Sequence, residues 1–138
     1  MTDKISVVRR SANMAAIRSA DTKPELIVRR LAHNLGFRFR LHRKDLPGKP
    51  DLVFVSRRKI IFVHGCFWHL HPITACVDAR MPKSNTLYWR PKLARNVARD
   101  SRNRNKLKEL GWDVLVVWDC ETRDLKTLTI QLLKFLHS

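Results

Sequence analysis

The chain has 138 residues, of which 44% are apolar, and its 28 lysines and arginines exceed its 12 acidic residues to give a formal net charge of +16. This length suits one domain with one core, and no apolar run approaches the roughly 18 residues that cross a bilayer. Arginines interrupt the apolar patches of the first 20 residues, unlike in an export signal. We therefore expect a cytoplasmic protein that binds a polyanion, with nucleic acid favoured over a membrane surface.

The chain opens with a polar, basic segment of weak periodicity over residues 1–22. This composition predicts an arm that becomes ordered on its DNA partner. The remainder, residues 23–138, is expected to form a single domain.

The first predicted elements of this domain are a helix and a strand. Thr22 and Glu25 have the spacing of a capping box, and Gly36 stops an apolar stripe, which predicts a helix over residues 24–35. Residues 37–42 alternate between apolar and basic side chains, as in a strand with one solvated face.

Two almost wholly apolar runs follow a proline-rich turn and predict a central β-hairpin. Periodicity then predicts a long basic helix, one more apolar strand and a terminal amphipathic helix. The order α-β-β-β-α-β-α places the chain in the α/β class. The ranges of these five elements are 51–55, 59–64, 88–110, 112–118 and 125–136.

Histidine and cysteine are concentrated between residues 64 and 71, at the end of the hairpin. Three cysteines are an odd number in a chain without an export signal, so metal binding explains them better than a disulfide framework. With one histidine they would form a tetrahedral site for structural Zn²⁺. Its predicted ligands are Cys66, His71, Cys76 and Cys120, the last of which has an alternative as a small buried core residue.

Asp51 begins the hairpin and His64 ends it, so both side chains are expected at one edge of the sheet. A carboxylate in that position suits Mg²⁺. His64 is a candidate general base, and His69 is a second imidazole free for proton transfer. The alternative for Asp51 is an Asx turn, and a histidine here could simply hydrogen-bond the loop backbone.

Two acids on the flanking helices, Glu25 and Asp100, could orient an imidazole or a metal-bound water. Each also has a structural alternative. Glu25 suits the capping box of Thr22, and Asp100 could pair with Arg104 one turn later.

Large aromatic side chains fall into two groups. Phe67, Trp68 and Trp89 have polar neighbours and are candidates for wedges inserted between DNA base steps. Trp112 and Trp118 lie in a predicted strand and are expected in the core.

These motifs resemble the very short patch repair endonucleases, bacterial enzymes that nick DNA beside the thymine of a T:G mismatch. The resemblance extends over most of the chain. It rests on RSANM at residues 10–14, LPGKPD at 46–51, HGCFWH at 64–69, Trp89, RD at 99–100, ELGW at 109–112 and VWDC at 117–120.

The resemblance implies a restriction-endonuclease-like core of three layers, in which helices flank a mixed central sheet. Val63 and His64 then replace the usual acid and lysine of the second catalytic strand. Asp51 and the backbone carbonyl of Val63 would hold catalytic Mg²⁺. The implied catalytic residues are Asp51, His64, His69, Glu25 and Asp100.

The resemblance also implies that Cys66, His71, Cys76 and Cys120 hold zinc, and that Phe67, Trp68 and Trp89 insert beside the mismatch. The chain departs from the family pattern in the longer gap between His71 and Cys76.

The predicted function is a strand-specific nick 5′ of the thymine in T:G mismatches that arise from deamination of 5-methylcytosine. We expect a monomer that acts on double-stranded DNA at the bacterial nucleoid, linked to a cytosine-5 DNA methyltransferase and to mismatch-repair proteins. Two alternatives stay open: a restriction-type endonuclease that cuts unmodified duplex, and a non-catalytic DNA-binding module stabilised by zinc.

Overall fold

The computed structural model describes residues 22–66, 69, 71 and 86–138. Three α-helices and four strands occupy these residues. In chain order they are α1 (Lys23–Asn34), β1 (Arg40–Leu41), β2 (Leu52–Phe54), β3 (Lys59–His64), α2 (Thr86–Glu109), β4 (Asp113–Trp118) and α3 (Leu125–His137). The predicted order of elements is therefore confirmed over the described residues.

The four strands form one mixed sheet in the order β1-β2-β3-β4. β2 pairs with both β1 and β3 in antiparallel orientation, and β3 pairs with β4 in parallel orientation over six residue pairs from Lys59↔Asp113 to His64↔Trp118. Parallel pairing needs a crossover connection, which α2 supplies. The predicted hairpin is thus present, and its central strand, β3, carries the residues of greatest interest at its C-terminal end.

Side chains of the sheet alternate between two cores. Leu52 and Ile61 pack with α1 and α3 on one face, whereas Val53 and Ile60 pack with Leu107 of α2 on the other. A strand that is buried on both faces is apolar throughout, which explains the unbroken apolar runs in the sequence. The arrangement is the three-layer α/β/α core that was expected.

The first strand is much shorter than predicted. Only Arg40 and Leu41 pair with β2, because β2 leaves the sheet at a 3₁₀ turn after Phe54 and His42 adopts a left-handed φ of 47°. Phe37 is buried against the core, although its backbone makes no ladder. The alternation of apolar and basic side chains over residues 37–42 therefore reflects contact with the core rather than strand pairing.

Helix α1 begins where the cap predicts, since the Thr22 hydroxyl accepts a hydrogen bond from the Glu25 N–H at 3.4 Å. Two leucines of its apolar stripe, Leu31 and Leu35, pack against the core. Leu26 is instead 41% exposed, and the fully buried side chains are Val28 and Ala32. Glu25 is also buried on that side. Its carboxylate contacts described below explain why a charged residue displaces leucine from the inner face.

Among the helices of the described residues, none combines the length and apolarity required to traverse a bilayer.

Candidate active site and metal centre

A cleft of about 460 Å³ opens where β2 begins and β3 ends. Helix α2 forms its opposite wall. The residues that line it are Gly48, Lys49, Asp51, Phe62, Val63, His64, His69, Arg99, Asp100, Asn103 and Arg104. Four of the five predicted catalytic side chains, Asp51, His64, His69 and Asp100, therefore meet in one cavity.

Asp51, directly before β2, is held against the C-terminal end of β3 by a backbone hydrogen bond. Its Oδ2 accepts the Val63 N–H at 2.7 Å. The N–H and C=O of one residue in an antiparallel strand point to the same side, so the carbonyl of Val63 is directed to the side on which Asp51 lies. One carboxylate oxygen and one carbonyl oxygen are the hard ligands that suit Mg²⁺.

Burial raises the pKa of the Asp51 carboxyl to about 8, and the neighbouring Glu25 acts in the same direction, against the Val63 N–H bond, which lowers it. A carboxylate in this position therefore lacks enough positive charge around it. A bound cation would supply that charge and keep Asp51 ionised. The donor set and the electrostatics of this site both fit a divalent metal ion.

Glu25 lies behind Asp51 and not in the cleft. Its side chain is only 4% exposed and bonds Arg29 of the same helix through one oxygen. The other oxygen is 2.9 Å from Nε2 of His42. Glu25, His42 and Asp51 each offer a ligand atom within 4.8 Å of the others. Glu25 is thus both the N3 residue whose N–H bonds the Thr22 cap and an acid whose side chain faces the site.

On the opposite wall, His69 and Asp100 form a close pair. Nδ1 of His69 is 2.5 Å from Oδ2 of Asp100. This hydrogen bond lowers the pKa of the Asp100 carboxyl, although burial of that group acts to raise it. Asp100 therefore contacts His69 rather than the predicted alternative partner, Arg104. With Nδ1 held by Asp100, Nε2 of His69 is the nitrogen left for chemistry in the cleft.

His64 stacks on His69, with ring centroids 3.9 Å apart and ring planes 9° from parallel. Burial lowers the pKa of His64 to about 3, and the adjacent His69 adds to this effect. Its Nδ1 is a buried nitrogen without a hydrogen-bond partner among the described residues. His64 is therefore neutral at physiological pH.

The cleft is also strongly basic. Arg99 and Arg104 reach it from α2, and Lys49 reaches it from the turn that precedes Asp51. Gly48 in that turn has a φ of 79°, and a Cβ there would lie 3.1 Å from both Asn103 and Phe62. Glycine is thus required by the backbone conformation and by the close approach of α2. A phosphate group is the natural ligand of such a wall.

A second cluster lies beyond the end of β3. The side chains of Cys66, His71 and Cys120 offer ligand atoms that all lie within 4.8 Å of one another. Sγ of Cys120 is 3.4 Å from Nδ1 of His71, and a tetrahedral zinc ion with ordinary bond lengths separates such ligands by about 3.5 Å. The Cys120 N–H donates to Sγ of Cys66 at 3.4 Å, which is the support that a metal-bound thiolate receives.

Trp118 connects the two clusters. Its indole stacks on His71 at 4.4 Å between centroids and meets the edge of His64 at 5.3 Å. The core position expected for Trp118 is therefore only half right, since the side chain is partly exposed between two candidate sites. Trp112 is buried as predicted.

Several predicted site residues lie outside the described residues, namely Phe67, Trp68 and Cys76, together with the predicted arm apart from Thr22. Trp89 is described. It is half-buried near the start of α2 and packs edge-on against Tyr88 at 4.9 Å.

His42, Arg29 and the basic wall of α2 are parts of the site that no motif in the sequence predicts. The alternating pattern places His42 on the solvated face of a strand. Charge alone does not distinguish these arginines from the other basic residues of so basic a chain. A usable signal for His42 was its position after the apolar alternation, directly before the turn that carries Asp51.

Residues 2–75 match the family model described as DNA mismatch endonuclease Vsr. The chain belongs to this family. The type II nicking enzyme V.XorIIP of Xanthomonas oryzae pv. oryzae is 53% identical over 132 residues, which cover 96% of this chain and 95% of that protein. The DNA mismatch endonuclease Vsr of Escherichia coli K12 is 42% identical over 129 residues, covering 94% of this chain and 81% of that protein.

Another relative of this Vsr-family chain is the type II nicking enzyme V.NmeAIP of Neisseria meningitidis, which is 41% identical over 124 residues and is covered over 86% of its length. The catalytic domain of the homing endonuclease I-Bth0305I has a similar fold, with a TM-score of 0.58 and 20% identity over 83% of this chain and 94% of that domain. The Vsr-family chain is a DNA endonuclease, and its predicted restriction-endonuclease-like fold is confirmed.

Proposed function

We propose that this endonuclease nicks one strand of double-stranded DNA on the 5′ side of the thymine in a T:G mismatch. The observation that carries the proposal is the juxtaposition of Asp51 with the His69–Asp100 pair in one basic cleft. Hydrolysis of a phosphodiester uses groups of these kinds: a carboxylate that binds a metal ion, an oriented imidazole that transfers protons, and cationic side chains that bind phosphate.

The proposed metal ion is Mg²⁺, held by the Asp51 carboxylate and the Val63 carbonyl. When bound, it would supply positive charge beside the phosphate oxygens as negative charge develops there. The Val63 N–H fixes one oxygen of Asp51 at 2.7 Å and thereby orients the carboxylate that would bind the ion. Glu25, behind Asp51, adds negative potential at the same position.

We assign proton transfer to His69 because Asp100 fixes its Nδ1. Nε2 of His69 would accept a proton from the attacking water as the water oxygen bonds to phosphorus. The 3′ oxygen, released as its bond to phosphorus breaks, would take up a proton from His69 or from solvent. The products would be a 5′-phosphate and a 3′-hydroxyl. His64, neutral and stacked on His69, would contact the phosphate and keep its neighbour's ring in place.

Arg99, Arg104 and Lys49 line the cleft where the DNA backbone would enter. Their charges would bind the phosphates next to the scissile bond, in any sequence. Selectivity for T:G would come from the aromatic wedge of Phe67, Trp68 and Trp89. Unstacking a base step costs roughly a few kcal/mol, and a mismatch lowers that cost.

The zinc site would have a structural role. Its proposed ligands are Cys66, His71, Cys120 and, as the fourth, Cys76, which lies outside the described residues. Such a set of soft ligands suits Zn²⁺ and leaves no open position for a substrate. The ion would fix the segment after β3 on the 3₁₀ turn that carries Cys120.

The proposed substrate defines the cellular context. A T:G pair forms when 5-methylcytosine loses its amino group, so the enzyme would follow a cytosine-5 DNA methyltransferase and would precede resynthesis of the nicked strand, beside mismatch-repair proteins. We propose that it acts as a monomer in the bacterial cytoplasm, on the nucleoid.

The test is a strand-resolved cleavage assay with Mg²⁺ on paired oligonucleotides that differ only in T:G or C:G within candidate methylation sites. The proposal predicts one nick, directly 5′ of the mispaired thymine. Equal cutting of the C:G duplex would contradict it in favour of a restriction-type endonuclease. Tight binding without a nick at any of these sites would contradict it in favour of a DNA-binding module.

A further inference from the structure

His42 occupies an unusual backbone position directly after β1. Its φ is 47°, in the left-handed region that a side chain seldom adopts. In this conformation its N–H donates to the backbone carbonyl of Asp51 at 3.3 Å. The turn that separates His42 from Asp51 is thereby closed, and the imidazole is directed toward the carboxylate that the proposed function assigns to the metal.

The imidazole contacts both acids of this region from behind the cleft. Nε2 is 2.9 Å from Oε1 of Glu25 and 4.0 Å from Oδ1 of Asp51. A guanidinium nitrogen of Arg29 is also 3.3 Å from Nε2. Since the arginine can only donate, and the carboxylate contact is the shorter one, the arrangement fits a proton on Nε2 that is donated to Glu25.

Two carboxylates this close repel each other, so Glu25 must be held in place. Arg29 bonds one oxygen of Glu25 from the same helix, and His42 bonds the other from the opposite direction. Loss of His42 would remove the contact that opposes Arg29, which favours rotation of the Glu25 carboxylate along α1, away from Asp51.

We propose that His42 is a positioning residue that holds the Glu25 carboxylate beside Asp51 and thereby strengthens binding of the divalent cation. This inference rests on the proposed function, because it assumes that Asp51 binds the cation. His42 does not line the cleft. Its effect would be on the affinity for the metal ion, through Glu25.

The test compares His42→Asn with His42→Gln in the zinc-loaded, full-length protein. Asparagine tolerates the left-handed backbone, but its amide reaches only as far as Nδ1 of histidine. The glutamine amide reaches as far as Nε2. The probe is Mn²⁺, whose binding is measured from the loss of the free-ion electron paramagnetic resonance signal, without DNA or turnover.

We expect His42→Asn to weaken Mn²⁺ binding by about 10-fold or more, as is usual when a residue that orients a metal ligand is lost. His42→Gln should recover most of the affinity. The concentration of Mg²⁺ that gives half-maximal cleavage should rise in parallel, while the rate at saturating Mg²⁺ changes less. His33→Asn, the same substitution at an exposed histidine of α1, is the matched control and should bind Mn²⁺ like the parent protein.

Three results would overturn the inference. The first is an Mn²⁺ affinity of His42→Asn equal to that of His33→Asn, even if the metal-free melting temperature falls, because His42 would then be purely structural. The second is a His42→Gln protein as weak as His42→Asn. The third, which also decides the matter if His42→Asn does not fold, is a Glu25→Gln protein that retains the affinity of the parent.

Asp51→Asn separates this inference from the function on which it rests. If Asp51→Asn binds Mn²⁺ as tightly as the parent protein, the proposed metal site itself is contradicted. If Asp51→Asn loses Mn²⁺ and His42→Asn does not, the metal site stands and the role of His42 fails.

Discussion

Two clusters of possible metal ligands meet at the end of β3, where His64 faces one cluster and Cys66 belongs to the other. Their donor atoms differ in kind. The soft cluster consists of Cys66, His71 and Cys120, whose donor atoms all lie within 4.8 Å of one another. The hard cluster is centred on Asp51, a carboxylate in the lining of an open cleft of about 460 Å³. The first cluster suits an ion that stays and holds the fold, and the second suits an ion that meets a substrate.

A short sheet can position both clusters because β3 has a different neighbouring strand on each side. The parallel pairing of β3 with β4 brings His64 opposite Trp118, with Cys120 just beyond. The antiparallel pairing of β3 with β2 brings Val63 to Asp51. β4, on one side of β3, thus ends just before Cys120 of the soft cluster, and β2, on the other side, begins just after Asp51 of the hard cluster.

The largest effect is expected at the hard cluster. Asp51→Asn should reduce the nicking rate by about 1,000-fold or more, because it removes the charged ligand of the proposed Mg²⁺ site. Zinc content and melting temperature should stay close to those of the parent protein. A loss of binding to T:G duplex, measured by fluorescence anisotropy, as severe as the loss of cutting would contradict the separation of the two roles.

Cys120→Ser is the matching test of the soft cluster. Loss of one thiolate should release zinc and lower the melting temperature by an amount on the order of 10 °C, since structural zinc contributes directly to folding. Elemental analysis and thermal unfolding measure the two effects. A folded variant that keeps one equivalent of zinc would remove Cys120 from the ligand set.

Asp100→Asn should reduce nicking by about 100-fold without a change in zinc content or in Mn²⁺ affinity. An amide at this position no longer fixes the Nδ1–H tautomer of His69, which the proposed proton transfer needs. Single-turnover cleavage gives the rate. Asp45→Asn, at an exposed carboxylate paired with Arg43, is the control and should cut at the parent rate. Equal rates for both variants would exclude the His69–Asp100 pair from the reaction.

The smallest effect is expected between the clusters. Trp118→Leu removes the indole that stacks on His71 and meets His64, and such aromatic contacts contribute about 1 kcal/mol each. Nicking should fall by about 5- to 10-fold, and zinc should be held less tightly against a competing chelator. A change in only one of these two quantities would indicate that Trp118 belongs to one cluster and does not connect them.

Pattern and spacing predicted the elements of this fold well, because the apolar runs of β2 and β3 and the caps of the helices are local signals. They failed at the first strand, where the length of β2 and the left-handed His42 decide how much of the segment can pair. No local pattern contains that information.

Residue type and position made Asp51, His64, His69 and Asp100 candidates, and the family resemblance gave them catalytic roles; all four line the cleft. His42 and Arg29 were not predicted, since their importance depends on contacts with Glu25 across the fold. The assignment of proton transfer also changed from His64 toward His69. Burial, which no linear motif reports, keeps His64 neutral, whereas Asp100 orients His69.

The central claim, that a retained zinc ion maintains the fold while an exchangeable Mg²⁺ supports the cut, is tested most directly by one assay. The purified protein is dialysed against a weak chelator, its zinc is quantified, and it is mixed with end-labelled T:G duplex before and after addition of Mg²⁺. The account predicts one equivalent of zinc, no cleavage before addition and a single nick afterwards. Cleavage without Mg²⁺, or a folded, active protein free of zinc, would contradict it.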